Sequence, residues 1–305
     1  HFTIFKRGYL ALDTGTRAGN TDNLQNYYAQ TVAHNCVLVN MPDEPPASYW
    51  NGKVFSMDGG QHKSVGANLL AFETGPEFTY VAADATPVYR AEKCSWATRQ
   101  FLFVMPDFFV VFDRVSSIKP TYVKRWLLHH AREPVLEART WRSDQAKGRL
   151  FCRTLLPEDA VLEKIGGPGR EFLVNGVNYP IDQGPSKQIQ KRGDATRAIP
   201  YKETPELIGR WRMEVRGKAP VKDEVFLHLI QVGDQELERM TDCELVRNEK
   251  DAGVRFTVDG KIVTVTFARV GEVGARIEIR DADGTVRVDR MLTREVTPQQ
   301  GLAQR

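Results

Sequence analysis

The sequence predicts an all-β protein, a large antiparallel two-sheet sandwich with few short helices. Three observations predict it. Short runs rich in Val, Ile, Phe, Tyr and Trp recur along the chain. Turn dipeptides such as Pro106-Asp107, Asp259-Gly260 and Asp283-Gly284 punctuate them. Amphipathic helical stretches are scarce, the best being 22–30 with Thr21 or Asp22 as a cap. Many short strands that each bury one face must pack a second sheet against the first.

Taken in order, residues 2–5 and 9–12 flank Lys6-Arg7-Gly8 and read as a hairpin. Residues 36–40 are short, apolar and β-branched, and runs at 78–82, 88–93, 96–105, 108–112 and 122–129 follow. In the last third Trp211-Arg212-Met213-Glu214-Val215 alternates with period two, as a half-buried strand should. The runs at 225–230 and 254–258 do the same; Asp259-Gly260 separates 254–258 from 261–267, and Asp283-Gly284 separates 275–280 from 285–289. The stretch 176–205 is polar and rich in Gly, Pro, Lys and Arg, and reads as a long surface excursion. The organisation expected is one sandwich domain over 1–297, with a subdivision near 176–205 left open and a frayed tail at 298–305.

At 305 residues and 34.5 kDa the chain can bury a large core, and its 41% hydrophobic and 27% charged residues are ordinary for a globular protein. No run approaches the roughly 18 apolar residues of a membrane span. The net charge of +3 and pI near 8.6 are too weak to argue for nucleic acid. They are compatible with an anionic small molecule or polysaccharide. Cys36, Cys94, Cys152 and Cys243 form no CxxC pair, which argues against a zinc–thiolate site. Up to two disulfides stay open, and Cys36 in its apolar run reads as a buried thiol. There is no Gly-x-Ser-x-Gly elbow, P-loop or His-Glu-x-x-His, and Gly166-Gly167-Pro168-Gly169 precedes no helix that would hold phosphate.

The residues that could carry chemistry concentrate near the start. Asp13 ends an apolar run before Thr14-Gly15, where a carboxylate either caps the turn or ligates a metal. His34 sits between an apolar segment and a strand, as a core side chain or as a ligand whose ring Asn35 could orient. His129 and His130 fall on opposite faces of one strand; an ordinary sheet pair is the simple reading, and His129 is a weak catalytic candidate. His228 is expected on a solvated face and His62 in a loop. Lys6, Arg7 and Arg125, with Lys187, Lys191 and Arg192 in the basic excursion, could meet carboxylates or sulfates of a ligand or simply be solvated.

These motifs, in this order, resemble the C-terminal β-sandwich domain of heparinase II/III-type polysaccharide lyases. The resemblance runs from residue 1 to about 270. It is carried by the stretches 1–15 and 27–35, by Asp58-Gly59-Gly60-Gln61, by 99–115, by 124–129 and by 223–228. It implies β-elimination on a uronate-containing acidic polysaccharide: a base takes the C5 proton and an acid protonates the leaving oxygen. It implies that most proton-transfer groups belong to an N-terminal α/α toroid that these residues lack. The chain opens on His1 without an initiator Met, in what reads as a strand, so a preceding segment is expected. Little or no turnover is expected of these residues alone. The resemblance also implies a zinc site holding Asp13 and His34, with a further ligand upstream of residue 1 and His1 a poor match for it. A periplasmic or secreted location follows from the same likeness. A non-catalytic carbohydrate-binding module and an interdomain scaffold remain the alternatives.

Overall fold

The computed structural model describes residues 1–14, 22–45, 58–61, 66–181, 187–192, 195–200 and 208–292, with 187–192 and 195–200 described by backbone alone. The expected tail at 298–305 and the loop residue His62 lie outside the described residues. So do the side chains of Lys187, Lys191 and Arg192. No described helix is long and apolar enough to cross a membrane.

The sandwich has three layers. Its central sheet has eight strands, in the order Asn68–Thr74, Phe78–Asp84, Cys94–Val104, Phe108–Ser117, Asp223–Asp234, Gly148–Leu156, Thr140–Gln145 and Val135–Glu137. All its pairings are antiparallel. One face carries a five-stranded meander from Cys243–Arg247 to Val286–Leu292, and the other a four-stranded sheet in the order Val161–Gly166, Trp211–Arg216, Lys124–His130, Val37–Val39.

Alternation along single strands builds both interfaces. In Phe108–Ser117, Phe108, Val110 and Phe112 face the meander, while Val111 and Val115 face the four-stranded sheet. Phe112 stacks on Phe267 with centroids 4.7 Å apart, and Phe108 meets Phe256 at 4.9 Å. On the opposite face Trp126, Leu128, Met213 and Val215 pack down on Val111, Leu150 and Ile230. Each side chain of this size contributes about 1.5–3 kcal/mol on burial.

Several expectations change. Residues 88–93 form no strand, because Pro87 starts a short 3-10 turn at Thr86–Val88. The helix expected at 22–30 is a brief wide turn, in which Ala29 N–H reaches the Leu24 carbonyl at 2.9 Å, followed by a 3-10 turn at Thr31–Ala33. The polar excursion holds a hairpin of Lys187–Arg192 and Ala195–Pro200. All four cysteines are free. His228 is fully buried rather than solvated, stacked 3.7 Å from Trp126, because its strand lies at the centre of the eight-stranded sheet and is covered on both faces.

Candidate metal centre

The hairpin of Ile4–Phe5 and Tyr9–Ala11 rides on the central sheet. Arg7 takes the left-handed conformation at φ 53°, and Gly8 lies so close to Gln145 that a Cβ would overlap its carbonyl oxygen. Tyr9 N–H donates to Gln145 Oε1 at 2.8 Å, and Lys147 N–H to the Arg7 carbonyl at 3.1 Å. Ile4, Leu10 and Ala11 point inward; Phe5 and Tyr9 stay exposed, in edge contact at 5.0 Å. Docked this way, the hairpin's two ends emerge beside the 31–36 segment.

There, Thr14 N–H and Oγ1 both donate to the Ala33 carbonyl, at 3.2 and 3.1 Å. Thr14 Oγ1 also shares a hydrogen bond of 2.7 Å with the buried Tyr27 hydroxyl. Fixing residue 14 against residue 33 sets Asp13 against His34. Asp13 Oδ1 lies 2.8 Å from His34 Nδ1 and 3.3 Å from His1 Nδ1. One ligand atom from each of His1, Asp13 and His34 falls within 4.8 Å of the others. All three side chains are partly open to solvent, at 37%, 42% and 28% exposure.

The donor set fits zinc. Two imidazole nitrogens and one carboxylate oxygen are borderline ligands of the kind zinc takes, and three protein ligands leave a fourth position open. Zinc–ligand bonds of about 2.0–2.2 Å in a tetrahedron place neighbouring donor atoms about 3.3 Å apart. The His1–Asp13 distance of 3.3 Å matches that spacing, and the His34–Asp13 distance of 2.8 Å is shorter, that of a direct hydrogen bond. His1, which the sequence reading passed over in favour of a ligand upstream of residue 1, lies within this group. Phe2 anchors that histidine by packing 5.0 Å from Phe101 and beneath the Arg99 guanidinium at 5.4 Å. A cavity of about 480 Å³ opens beside His1, lined also by Cys36, Tyr89, Arg99 and Asp113.

The other sequence candidates fare differently. His129 is fully buried, its backbone N–H donating to Asn35 Oδ1 at 2.8 Å, with ring nitrogens 2.9 Å from Asn35 Oδ1 and from the Val32 carbonyl. Burial and the nearby Arg212 hold its pKa well below the usual imidazole range. It is fully enclosed in the hydrogen-bonded scaffold beneath the site, with no exposed atom. Arg125 is also spoken for: it grips Asp58, donates to Glu214 at 3.0 Å and to Asn40 at 3.0 Å, and is only 17% exposed. Its charge is thus already met inside the protein, although it also lines a shallow pocket with Asn40, Asp58 and Arg212. Lys6 is paired with Asp107. Arg7 keeps a 62% exposed side chain, 3.3 Å from Asp234. Asn35 was expected to orient the His34 ring; its side chain turns instead to Phe2, Leu12 and His129.

Sequence reasoning missed the Arg99–Asp113 pair beneath the site. Arg99 donates to both Asp113 oxygens, at 2.7 and 3.0 Å, and to the Asn35 carbonyl. The available signal was parity: Asp113 alternates with Val111 and Val115, which face the core.

No family profile and no curated protein matches this sequence. Solved structures do. A mutant of the heparan sulfate lyase HepC from Pedobacter heparinus superposes with a TM-score of 0.53 at 16% identity, over 87% of this chain and 35% of that one. The unmutated HepC gives 0.51 at 15% identity. A heparinase III gives 0.52 at 12% identity, over 87% of this chain and 34% of that one. The chain shares its fold with part of these lyases. It spans about a third of their length.

Proposed function

We propose that this chain is the β-sandwich part of a polysaccharide lyase that cleaves a uronate-containing acidic polysaccharide by β-elimination. The observation that carries the proposal is the convergence of His1, Asp13 and His34 on a fold matched by heparan sulfate lyases over 87% of the chain. In this reading the three residues hold zinc. Zinc there would supply positive charge beside the cavity next to His1, where an acidic sugar would bind. The chain's own part is to fix the ligands on a rigid sandwich and to seat the polymer along the hairpin face. The groups that move the C5 proton and protonate the leaving oxygen belong, in this reading, to an α/α toroid facing the sandwich. We extend the reading to a periplasmic or secreted location, where such polymers are met.

The test is elimination activity on heparan sulfate, alginate and hyaluronan, read by ultraviolet absorbance of the unsaturated uronate product. It compares this chain with a longer protein carrying the residues its gene encodes upstream. The expected result is product from the longer protein and little or none from the 305 residues. Strong turnover by this chain alone would overturn the assignment of proton transfer to a toroid. No turnover from either would overturn the lyase reading.

One observation favours a second reading, a non-catalytic carbohydrate-binding module. Phe5 and Tyr9 stand 66% and 47% exposed on the hairpin, and aromatic faces of this kind stack on sugar rings. Oligosaccharide binding that Phe5→Ala abolishes, with no turnover in the longer protein, would select this reading.

A further inference from the structure

Asn35 touches none of the three candidate ligands with its side chain, yet it is bonded to the backbone beside each of them. Its Nδ2 donates to the Phe2 carbonyl at 2.8 Å, one residue after His1, and to the Leu12 carbonyl at 3.4 Å, one residue before Asp13. Its own backbone follows His34. The amide is thus a clamp across both strands of the hairpin at the end where the cluster forms.

The clamp is itself held. Asn35 Oδ1 accepts the His129 backbone N–H, with the His129 ring 2.9 Å away. Its carbonyl accepts from Arg99, which is locked on Asp113, which in turn accepts the Trp126 indole N–H at 3.0 Å. Asn35 and His129 are both fully buried. The amide orientation is fixed by this pattern, because Oδ1 faces a backbone donor and Nδ2 faces two backbone acceptors.

We propose that Asn35 is the positioning residue of the His1–Asp13–His34 centre: it sets the separation of His1 from Asp13 by tying Phe2 to Leu12 and registering both against His34. The inference rests on the metal reading above. It is not a matter of charge, since a neutral amide does the work. Outer partners of this kind are worth about 10- to 100-fold in metal affinity.

Asn35→Asp separates geometry from electrostatics. It keeps the shape and the acceptor for His129 but turns a carboxylate oxygen toward the Phe2 and Leu12 carbonyls. Charge alone would tighten cation binding; loss of the clamp loosens it. Zinc affinity is measured by chelator competition, with near-ultraviolet circular dichroism to report the fold. The expected result is wild-type binding of one zinc and a folded Asn35→Asp weaker by about 10- to 100-fold. Equal or tighter binding by folded Asn35→Asp overturns the clamp. No zinc on the wild type overturns the metal reading beneath it. If Asn35→Asp does not fold, amide exchange in the wild type decides: zinc should slow exchange of the Asn35 side-chain amide and of the hairpin, and unchanged rates overturn the proposal.

Discussion

Arg99 grips Asp113 through two nitrogens, at 2.7 and 3.0 Å, across neighbouring strands of the central sheet, and the pair lies directly beneath the hairpin that carries His1. Asp113 is 4% exposed at its side chain and Arg99 17%, so water screens the pair only weakly. Breaking a buried pair by removing one charge costs about 3–5 kcal/mol. Asp113→Asn should lower the stability measured by urea denaturation by that order, and it should loosen Phe2, which lies under the freed guanidinium.

The hairpin's seat gives a second test. A methyl group at Gly8 has no room against the Gln145 carbonyl. Gly8→Ala should destabilise by about 1–3 kcal/mol through overpacking. Its larger effect should be local: hydrogen exchange at Tyr9–Ala11 should accelerate far more than in the central sheet.

His1 offers a discriminating substitution. If it is the third ligand, His1→Ala should lose zinc as completely as His34→Ala, by metal analysis after dialysis. A His1→Ala protein that retains stoichiometric zinc would return the third ligand to the upstream position the sequence suggested.

Three buried histidines make stability depend on pH. Burial lowers the pKa of His129 and His228 well below the usual imidazole range, and that of His130 to about 4. In the unfolded chain they take up protons near pH 6.5. Between those values the unfolded state binds more protons than the native one, so stability is intact above about pH 6.5 and falls as the pH drops towards 4. His130 alone accounts for about 3 kcal/mol by the bottom of that window, at about 1.4 kcal/mol per pKa unit. His228→Phe should flatten the slope, because the ring can keep its stack on Trp126 while the titrating nitrogens are gone. Melting temperatures from pH 7.5 to 4.5 would show it; an unchanged slope would refute this role for His228.

Glu224 acts in the opposite direction. Burial raises its carboxyl to about 7, against the pull of Lys124. Its folded pKa exceeds the ordinary carboxylate value near 4.3, so deprotonation costs stability as the pH rises through about 4.3 to 7. Glu224→Gln should therefore be more stable than the wild type at pH 8 and equal to it at pH 4, by urea midpoint.

Much of the fold was legible. Trp211–Arg216 and Asp251–Val258 alternate polar and apolar residues, 108–112 is an unbroken apolar run, and Asp259-Gly260 marks a turn with φ 48° and 76° at its two residues. Strands with polar residues on the buried face were not legible. Thr140–Gln145 buries Trp141, Ser143 and Gln145, so it lacks the apolar period that identifies a strand. Gly148–Leu156 beside it went unread as well, and with it the width of the central sheet. Of the site, Asp13 and His34 were picked out because a carboxylate and an imidazole at segment ends are chemically conspicuous. His1 was set aside and the roles of Asn35 and Arg99 were missed, because each depends on partners 12 to 94 residues away in the chain.

The sequence by itself determined the strand content, the hairpin turns and the residue types able to hold a metal, since these follow from local periodicity, turn chemistry and side-chain donors. Only the tertiary structure decided that two expected sheets are three layers, that His129 and Arg125 are tied into internal hydrogen-bond networks, and that His1 lies beside Asp13 and His34. The reason is physical: alternation tells a strand which residues to bury but not which sheet will cover them. A ligand set exists only where backbone hydrogen bonds such as Thr14 to Ala33 bring distant segments into register.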